Sequence, residues 1–201
     1  MIKIYVINKK KDTERLKYIK DCFKNYNLNI IEAINHDQGW KGCFLSHKKC
    51  IKIGKKLKLS YIIVIEDDCK PTINFDKNLK EILNYLDNNK NKWDIFLGGV
   101  TNVWNCNNII KINDNLNLLN ICKGKTTHFI IYNKSSYDFF LNKNIDTPID
   151  KCWHYKLKSL TSIPFIAIQK NGISSIEKKY VNYNHKFKSI ENNFKNIINN
   201  Y

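Results

Sequence analysis

The chain has one arginine, few glycines and prolines, about half as many acids as bases, and no long apolar run. Each scarcity excludes something. No stretch approaches the roughly 18 apolar residues that a membrane-spanning helix requires, so no transmembrane segment is expected. The opening MIKIYVINKKKD has a short apolar run with no cleavage-like small residues behind it, and reads as a first strand rather than a signal peptide. Seven cysteines, at 22, 43, 50, 69, 106, 122 and 152, are odd in number and include no C-x-x-C pair. That argues against a disulfide framework or a structural zinc site and for a reducing compartment, with a cytoplasmic location expected (host cytoplasm or virion if viral). One sequon, Asn133-Lys134-Ser135, points weakly the other way. Phosphate-cradling glycine loops are missing. With three scattered prolines, no internal repeat and no linker, residues 1–201 read as one domain with a Lys/Asn-rich tail from about 178.

What is present is charge and an α/β rhythm. Thirty-four Lys and Arg against 18 Asp and Glu leave a net charge of +16. Lys, Asn and Ile are the residues an AT-rich coding sequence supplies, as in some bacteria and large DNA viruses. The charge therefore has two readings: attraction to a polyanion or phosphorylated ligand, or a solvated Lys-rich surface. Arg15 stands alone against that lysine background. A planar, bidentate side chain there suits carboxylate or phosphate recognition, or is an accident of composition.

Residues 2–8 read as a strand, and Asp12 as the cap of a helix to about 24 with Leu16, Ile19 and Phe23 on one face. A second strand is predicted at 29–34. Gly39 and Gly42 are read as breaks before a helix at about 43–57, whose buried stripe holds Cys43, Cys50, Ile53 and Leu57. Further strands are predicted at 61–66, 93–98, 127–133 and 163–169, and helices at 77–88, 135–142 and 149–160. The Asn-rich 101–125 reads as a loop or a hairpin over one edge. The alternation implies an α/β sandwich with a mostly parallel central sheet flanked by helices.

One run stands out. YIIVIEDDC (61–69) is continuously apolar, as a central strand covered on both faces would be, yet ends in Glu66, Asp67 and Asp68. In open α/β sheets ligands sit beyond the carboxyl ends of the strands. If the chain stays extended, Glu66 and Asp68 project together and Asp67 points away. Two crowded carboxylates then either share a proton or take a cation between them. A hard ion, Mn²⁺ or Mg²⁺, prefers such oxygen ligands and leaves positions for phosphate oxygens. The alternative is a solvated loop start whose acids cap a helix or pair with Lys.

Taken with GCFLSH (42–47) and IYVINKKKDTERLKYI (4–19), the run IIVIEDDC resembles glycosyltransferase family 25, the lipopolysaccharide glycosyltransferases and collagen galactosyltransferases. Further matches follow in order: WDIFLGG (93–99), GKTTHFIIYNKSS (124–136), TPID (147–150) and IAIQKNGISSI (166–176). The resemblance implies a GT-A-like (Rossmann-like) fold, a UDP-sugar donor, and metal-assisted hexose transfer with inversion to a glycan, lipid-linked sugar or hydroxylysine acceptor. No specific nucleic-acid partner is implied. On this resemblance Glu66 and Asp68 fall on the DxD-like element and are the metal ligands, Asp68 the more direct of the two. Asn8 and Arg15 fall on an N-terminal element near the nucleotide. Ser46 and His47 match a Ser-His pair, Thr127 and His128 the segment before a later strand, and Asp150 the acid of a Pro-x-Asp motif. The resemblance thus assigns Asp150 as catalytic base and Asn8, Arg15, His47, Glu66, Asp67, Thr127 and His128 to the donor nucleotide. Trp40 departs from the family, which often has Glu there, and the region after ISSI is short.

The residues also allow blander readings. Asp150 at a helix start can be an N-cap. His47 in mid-helix can be a half-buried, hydrogen-bonded histidine, and His128, His154 and His185 are equal candidates for a third metal ligand. Trp104, Trp153 and Tyr155 can stack on a sugar or fill a core, and Asp94 can anchor its strand. Clustered acids on a basic protein also suit a metal-dependent nuclease or nucleotidyltransferase, and a short C-terminal region suits a degenerate binding module.

Overall fold

The apolar run 61–66 is continuous because both faces of its strand are covered. In the computed structural model of the protein, which describes residues 1–173 and 180–199, Ile62, Ile63, Val64 and Ile65 are each at most 1% exposed. Each such side chain contributes roughly 1.5–3 kcal/mol relative to its exposed state.

The elements run β1 (Lys3–Asn8), α1 (Thr13–Cys22), β2 (Asn27–Glu32), α2 (Gly39–Lys56), β3 (Tyr61–Glu66) and β4 (Cys69–Pro71). Next come α3 (Phe75–Asn88), β5 (Ile95–Leu97), β6 (Thr101–Asn113), β7 (Leu116–Lys125), β8 (Phe129–Asn133) and α4 (Tyr137–Asn142). The chain continues through α5 (Ile149–Cys152), β9 (Ser159–Ile163), β10 (Ala167–Gln169), β11 (Gly172–Ile173), β12 (Tyr180–Val181) and α6 (Tyr183–Asn199).

An eight-stranded sheet has the order β2-β1-β3-β8-β5-β9-β7-β6. Strands β1, β2, β3, β5, β6 and β9 run one way; only β7 and β8 are reversed, so several pairings are antiparallel within a sheet of mostly one direction. Alternate side chains feed two apolar layers. Tyr5, Ile7, Ile62, Val64, Ile130 and Tyr132 meet α2, α4, α5 and α6 on one face. Ile4, Val6, Ile63, Ile65, Phe129 and Ile131 meet α1 and α3 on the other. This is the α/β sandwich with flanking helices that the pattern implied.

Several local expectations change. Gly39 and Gly42 lie inside α2 rather than before it. Gly42 is required for closeness: a Cβ there would sit 2.6 Å from the Ile34 carbonyl oxygen, so the glycine lets α2 press against the segment after β2. The stretch 101–125 is the long β6–β7 hairpin. The helix expected over 149–160 stops at Cys152, with Tyr155 at φ 56°, a left-handed conformation that ends helical winding before β9 begins. The 163–169 strand is split: Ile163 ends β9, paired with β7, and 167–169 form β10, paired with β4. The Lys/Asn-rich C-terminal stretch carries α6, whose Phe187 and Phe194 are buried. Part of the ISSI match and the start of that stretch, 174–179, lie outside the described residues.

The β5 end is tied to β10 by two bonds to the Gly98 carbonyl, from Ile166 N at 2.9 Å and Ala167 N at 3.1 Å. A Cβ on the neighbouring Gly99 would lie 2.2 Å from the Ala167 carbonyl oxygen. Gly99→Ala is therefore expected to destabilise by about 1–3 kcal/mol, because backbone must move. Chemical denaturation checks this, and an unchanged midpoint would count against the close approach.

Candidate active-site cleft

Strand order brings the cluster together. The carboxyl ends of β1, β2, β3 and β5 share one edge of the sheet, and the reversed β8 begins there. Glu66 N donates to the His128 carbonyl at 3.0 Å, which extends the β3–β8 pairing and sets Thr127 beside Glu66. A cleft of about 380 Å³ opens at this edge, lined by residues including Arg15, Cys43, His47, Glu66, Asp67, Asp68, Thr127, Asp150 and Gln169, with Lys9, Lys125, Lys151 and Lys186 also bordering it.

Glu66 is held from two elements. Thr127 Oγ1 donates to its Oε1, and His47 Nε2 lies 3.3 Å from the same oxygen. Burial pushes the Glu66 carboxyl up, but the bonds from His47 and Thr127 outweigh it and hold it below the usual carboxylate value. An ionised carboxylate only accepts, so Nε2 carries the proton. In the neutral ring Nδ1 then accepts from Tyr132 Oη at 2.9 Å. His47 is fully buried, and its place one turn after Cys43 on α2 puts the Cys43 Sγ 3.7 Å from Glu66 Oε1. Burial, then the Glu66 charge, pushes the Cys43 thiol well above its ordinary value. Ser46, by contrast, faces the α2–β2 seam: its Oγ accepts from Ile34 N at 2.8 Å and donates to the Gly42 carbonyl at 2.7 Å.

The expected alternation of the three acids does not occur. Strand β3 ends at Glu66 and residues 67–68 turn, so Asp67 and Asp68 share a partner while Glu66 faces α2 and β8. Arg15 Nη1 donates to Asp67 Oδ1 at 2.9 Å and lies 4.0 Å from Asp68 Oδ2. Gln169, placed opposite Cys69 by the β4–β10 pairing, donates to Asp68 Oδ2 at 2.8 Å. Asp68 Oδ1 is buried with no hydrogen-bond partner. Burial, reinforced by Glu66, pushes Asp68 up to about 7. Burial also raises Asp67 against the pull of Arg15.

Asp150 enters from the other side on α5. It is not the N-cap, a position held by Pro148. Its Oδ2 accepts from Thr126 N at 3.4 Å, and burial raises its carboxyl against the Thr126 N–H and the lysines nearby.

Other expected residues lie apart from the cleft lining. Asn8 is buried, its amide donating to the Lys9 carbonyl at 2.8 Å while its Oδ1 has no partner. His128 is 1% exposed. Its Nε2 donates to the Ala167 carbonyl at 3.1 Å and its ring meets Phe187 edge-on, so it packs α6 against the sheet. Burial lowers its pKa to about 4, which keeps it neutral. His154 bonds the Gly124 carbonyl at 3.0 Å, and His185 is exposed on α6. Trp153 is buried in the core and Tyr155 is 60% exposed beside Lys123; the side chain of Trp104 lies outside the described residues. Asp94 anchors its strand through Ser135 Oγ at 2.6 Å and Lys158 N at 2.9 Å. Sequence reading missed Cys43, whose i, i+4 spacing to His47 was visible, and Gln169, whose role depends on the β4–β10 register.

The fold and cleft define an α/β protein with an open cleft at the carboxyl ends of its strands, where ligands sit in open α/β sheets. The sequence pattern of Glycosyltransferase family 25 (LPS biosynthesis protein) matches residues 37–199. The chain belongs to that family and is a glycosyltransferase. Family membership implies a nucleotide-sugar donor and a glycan acceptor, and it suggests a divalent metal. No curated protein matches the chain in sequence. Its fold is similar to A197 from STIV, with 12% identity, TM-score 0.47, and 90% of this chain and 93% of that chain covered. A glycosyltransferase involved in the glycosylation of the major capsid of PBCV-1 is 14% identical, with TM-score 0.43 and coverage of 69% and 63%. HddC from Yersinia pseudotuberculosis is 15% identical, with TM-score 0.41 and coverage of 79% and 68%. Among the described residues no helix is long and apolar enough to cross a membrane.

Because Asp68 is raised in the fold, its neutral form is favoured by folding. The stability it contributes is present below its ordinary value near pH 4, declines as pH rises toward about 7, and is flat above that. Asp68→Asn is expected to flatten this decline and to raise the melting temperature of the metal-free protein near pH 8 by a few degrees, about 1 kcal/mol or more. Thermal melts across this range test it; a parallel pH dependence in both proteins would remove the assignment.

Proposed function

We propose that the protein transfers a hexose from a UDP-sugar to an acceptor hydroxyl with inversion, assisted by Mn²⁺ or Mg²⁺ at Asp68. The observation that carries this reading is the buried, unpartnered Asp68 Oδ1 in a cleft lined by further acids and bordered by lysines. An oxygen in that state suits a hard cation, which satisfies it and favours the ionised form that burial opposes. Such an ion, when bound, supplies positive charge to the leaving diphosphate.

The chain's own residues supply the rest. Asp68 is the ligand assigned to the ion, held in orientation by Gln169. Glu66 faces Thr127 and His47, away from the Asp68 side of the turn, and is assigned to the donor rather than to the hard ion at Asp68. Arg15, with Asp67 as its partner, and the bordering lysines attract and orient the diphosphate. Asp150 takes the proton of the acceptor hydroxyl, and its raised affinity for a proton suits that role. A single displacement needs one base and no protein nucleophile, which fits inversion. Asn8 and His128 contribute by supporting the strand ends and α6. The acceptor is a glycan, a lipid-linked sugar or hydroxylysine. A reducing, cytoplasmic setting is supported by the thiols of Cys22, Cys43, Cys50, Cys69 and Cys152.

Calorimetric titration of UDP is expected to show Mn²⁺-dependent binding that is abolished by EDTA and by Asp68→Asn. UDP binding indifferent to both would overturn the metal assignment. Asp150→Asn is expected to keep UDP affinity while lowering kcat by about 10²–10⁴-fold, the range for loss of a general base. A loss of UDP affinity with kcat unchanged would instead place Asp150 in donor binding.

A further inference from the structure

The cleft contains a second set of donors of a different chemical kind. Among the described residues, Cys43, His47 and Glu66 are the group of metal-type side chains whose ligand atoms all lie within 4.8 Å of one another. Two come from one face of α2, four residues apart, and the third from the end of β3.

We propose that Cys43 Sγ, His47 Nε2 and Glu66 Oε1 form a binding site for a thiophilic divalent ion of the zinc class, distinct from the hard-cation position at Asp68. The two separations from Glu66 fit. Cys43 Sγ lies 3.7 Å and His47 Nε2 3.3 Å from Glu66 Oε1. Metal–sulfur bonds of about 2.3 Å and metal–nitrogen or metal–oxygen bonds of about 2.0–2.1 Å at a tetrahedral angle require about 3.6 Å and 3.4 Å. The outer contacts fit as well. A zinc-bound imidazole ordinarily has its second nitrogen fixed by a hydrogen bond. Here His47 Nδ1 meets the Tyr132 hydroxyl at 2.9 Å, with Nε2 turned toward the cluster. The donor set explains why a zinc-class ion is selected over Mn²⁺ or Mg²⁺: thiolate and imidazole favour softer ions.

Binding is proton-coupled. The Cys43 thiol loses its proton to solvent as sulfur coordinates the ion, and Glu66 is already ionised. The His47 proton shifts from Nε2 to Nδ1, which then donates to Tyr132 Oη, so the ring stays neutral and Nε2 is open to the ion. The ion's two charges are balanced by thiolate and carboxylate. Because all three residues line the cleft, a fourth position faces it and takes water or an anionic oxygen.

Cobalt(II) substitution reads this site without reference to turnover. Co²⁺ added to the full chain is expected to give the intense visible bands of a tetrahedral ion and a near-ultraviolet thiolate charge-transfer band. Zn²⁺ is expected to displace both. An ion held by oxygen ligands at Asp68 gives neither, so Asp68→Asn should leave the spectrum unchanged. Cys43→Ser should abolish the thiolate band and lower Zn²⁺ affinity by roughly 100-fold, the upper end of what even outer-shell changes cause. Cys22→Ser should change nothing. His47→Gln should also lose the tetrahedral bands; if that variant fails to fold, the near-isosteric Cys43→Ser decides. A thiolate band that survives Cys43→Ser, or no thiolate band in the native chain, would overturn the proposal and leave the cluster as a hydrogen-bonded lock.

Discussion

The carboxylate of Glu66 joins the three elements on which the cleft depends. It ends β3, accepts from Thr127 at the start of β8, and accepts from His47 in the middle of α2. Behind it Tyr132 completes a chain of bonds reaching into the apolar layer. A charge at the end of a buried strand is costly unless it is hydrogen-bonded, and here the bonds outweigh the burial. That balance is what allows an apolar strand to deliver an ionised group to the sheet edge.

The next two acids follow a different logic. Once the chain turns after Glu66, Asp67 and Asp68 face Arg15, and the ion pair neutralises part of their repulsion. Arg15 does not satisfy Asp68, whose Oδ1 remains without a partner and whose carboxyl is driven toward the neutral form. The two ends of one tripeptide thus have opposite tendencies, Glu66 ionised and Asp68 proton-seeking. Environment separates them, since the chemistry of the groups is nearly the same. The same cleft consequently offers an oxygen suited to a hard cation and a sulfur–nitrogen–oxygen triangle suited to a softer one.

Much of this was legible in the chain. The unbroken YIIVIEDDC marked a strand covered on both faces with a cluster of acids at its end, and the alternation of strands and helices marked the sandwich. The ordered short motifs marked the family. What was misread has common physical causes. Local patterning cannot see where a strand stops, so the two-residue period was carried through Asp67 and Asp68 although β3 ends at Glu66. Helical periodicity after Ile149 was real in sequence but cut short by the left-handed Tyr155. His128 looked like a ligand because it follows Thr127, but its side chain points to α6, an element some sixty residues later, where it meets Phe187.

By itself the sequence determined which segments are buried and where the charged ends fall, because burial follows from local hydrophobic pattern. It also determined that Arg15 and the acid triplet are unusual against the background of lysine. Only the tertiary structure decided their partners. Pairing of β4 with β10 brings Gln169 to Asp68, reversal of β8 brings Thr127 to Glu66, and the close approach permitted by Gly42 seats α2 with Cys43 and His47 facing the same oxygen. These contacts join residues far apart in the chain, and such pairings depend on register and direction across the sheet, which no local stretch of sequence encodes.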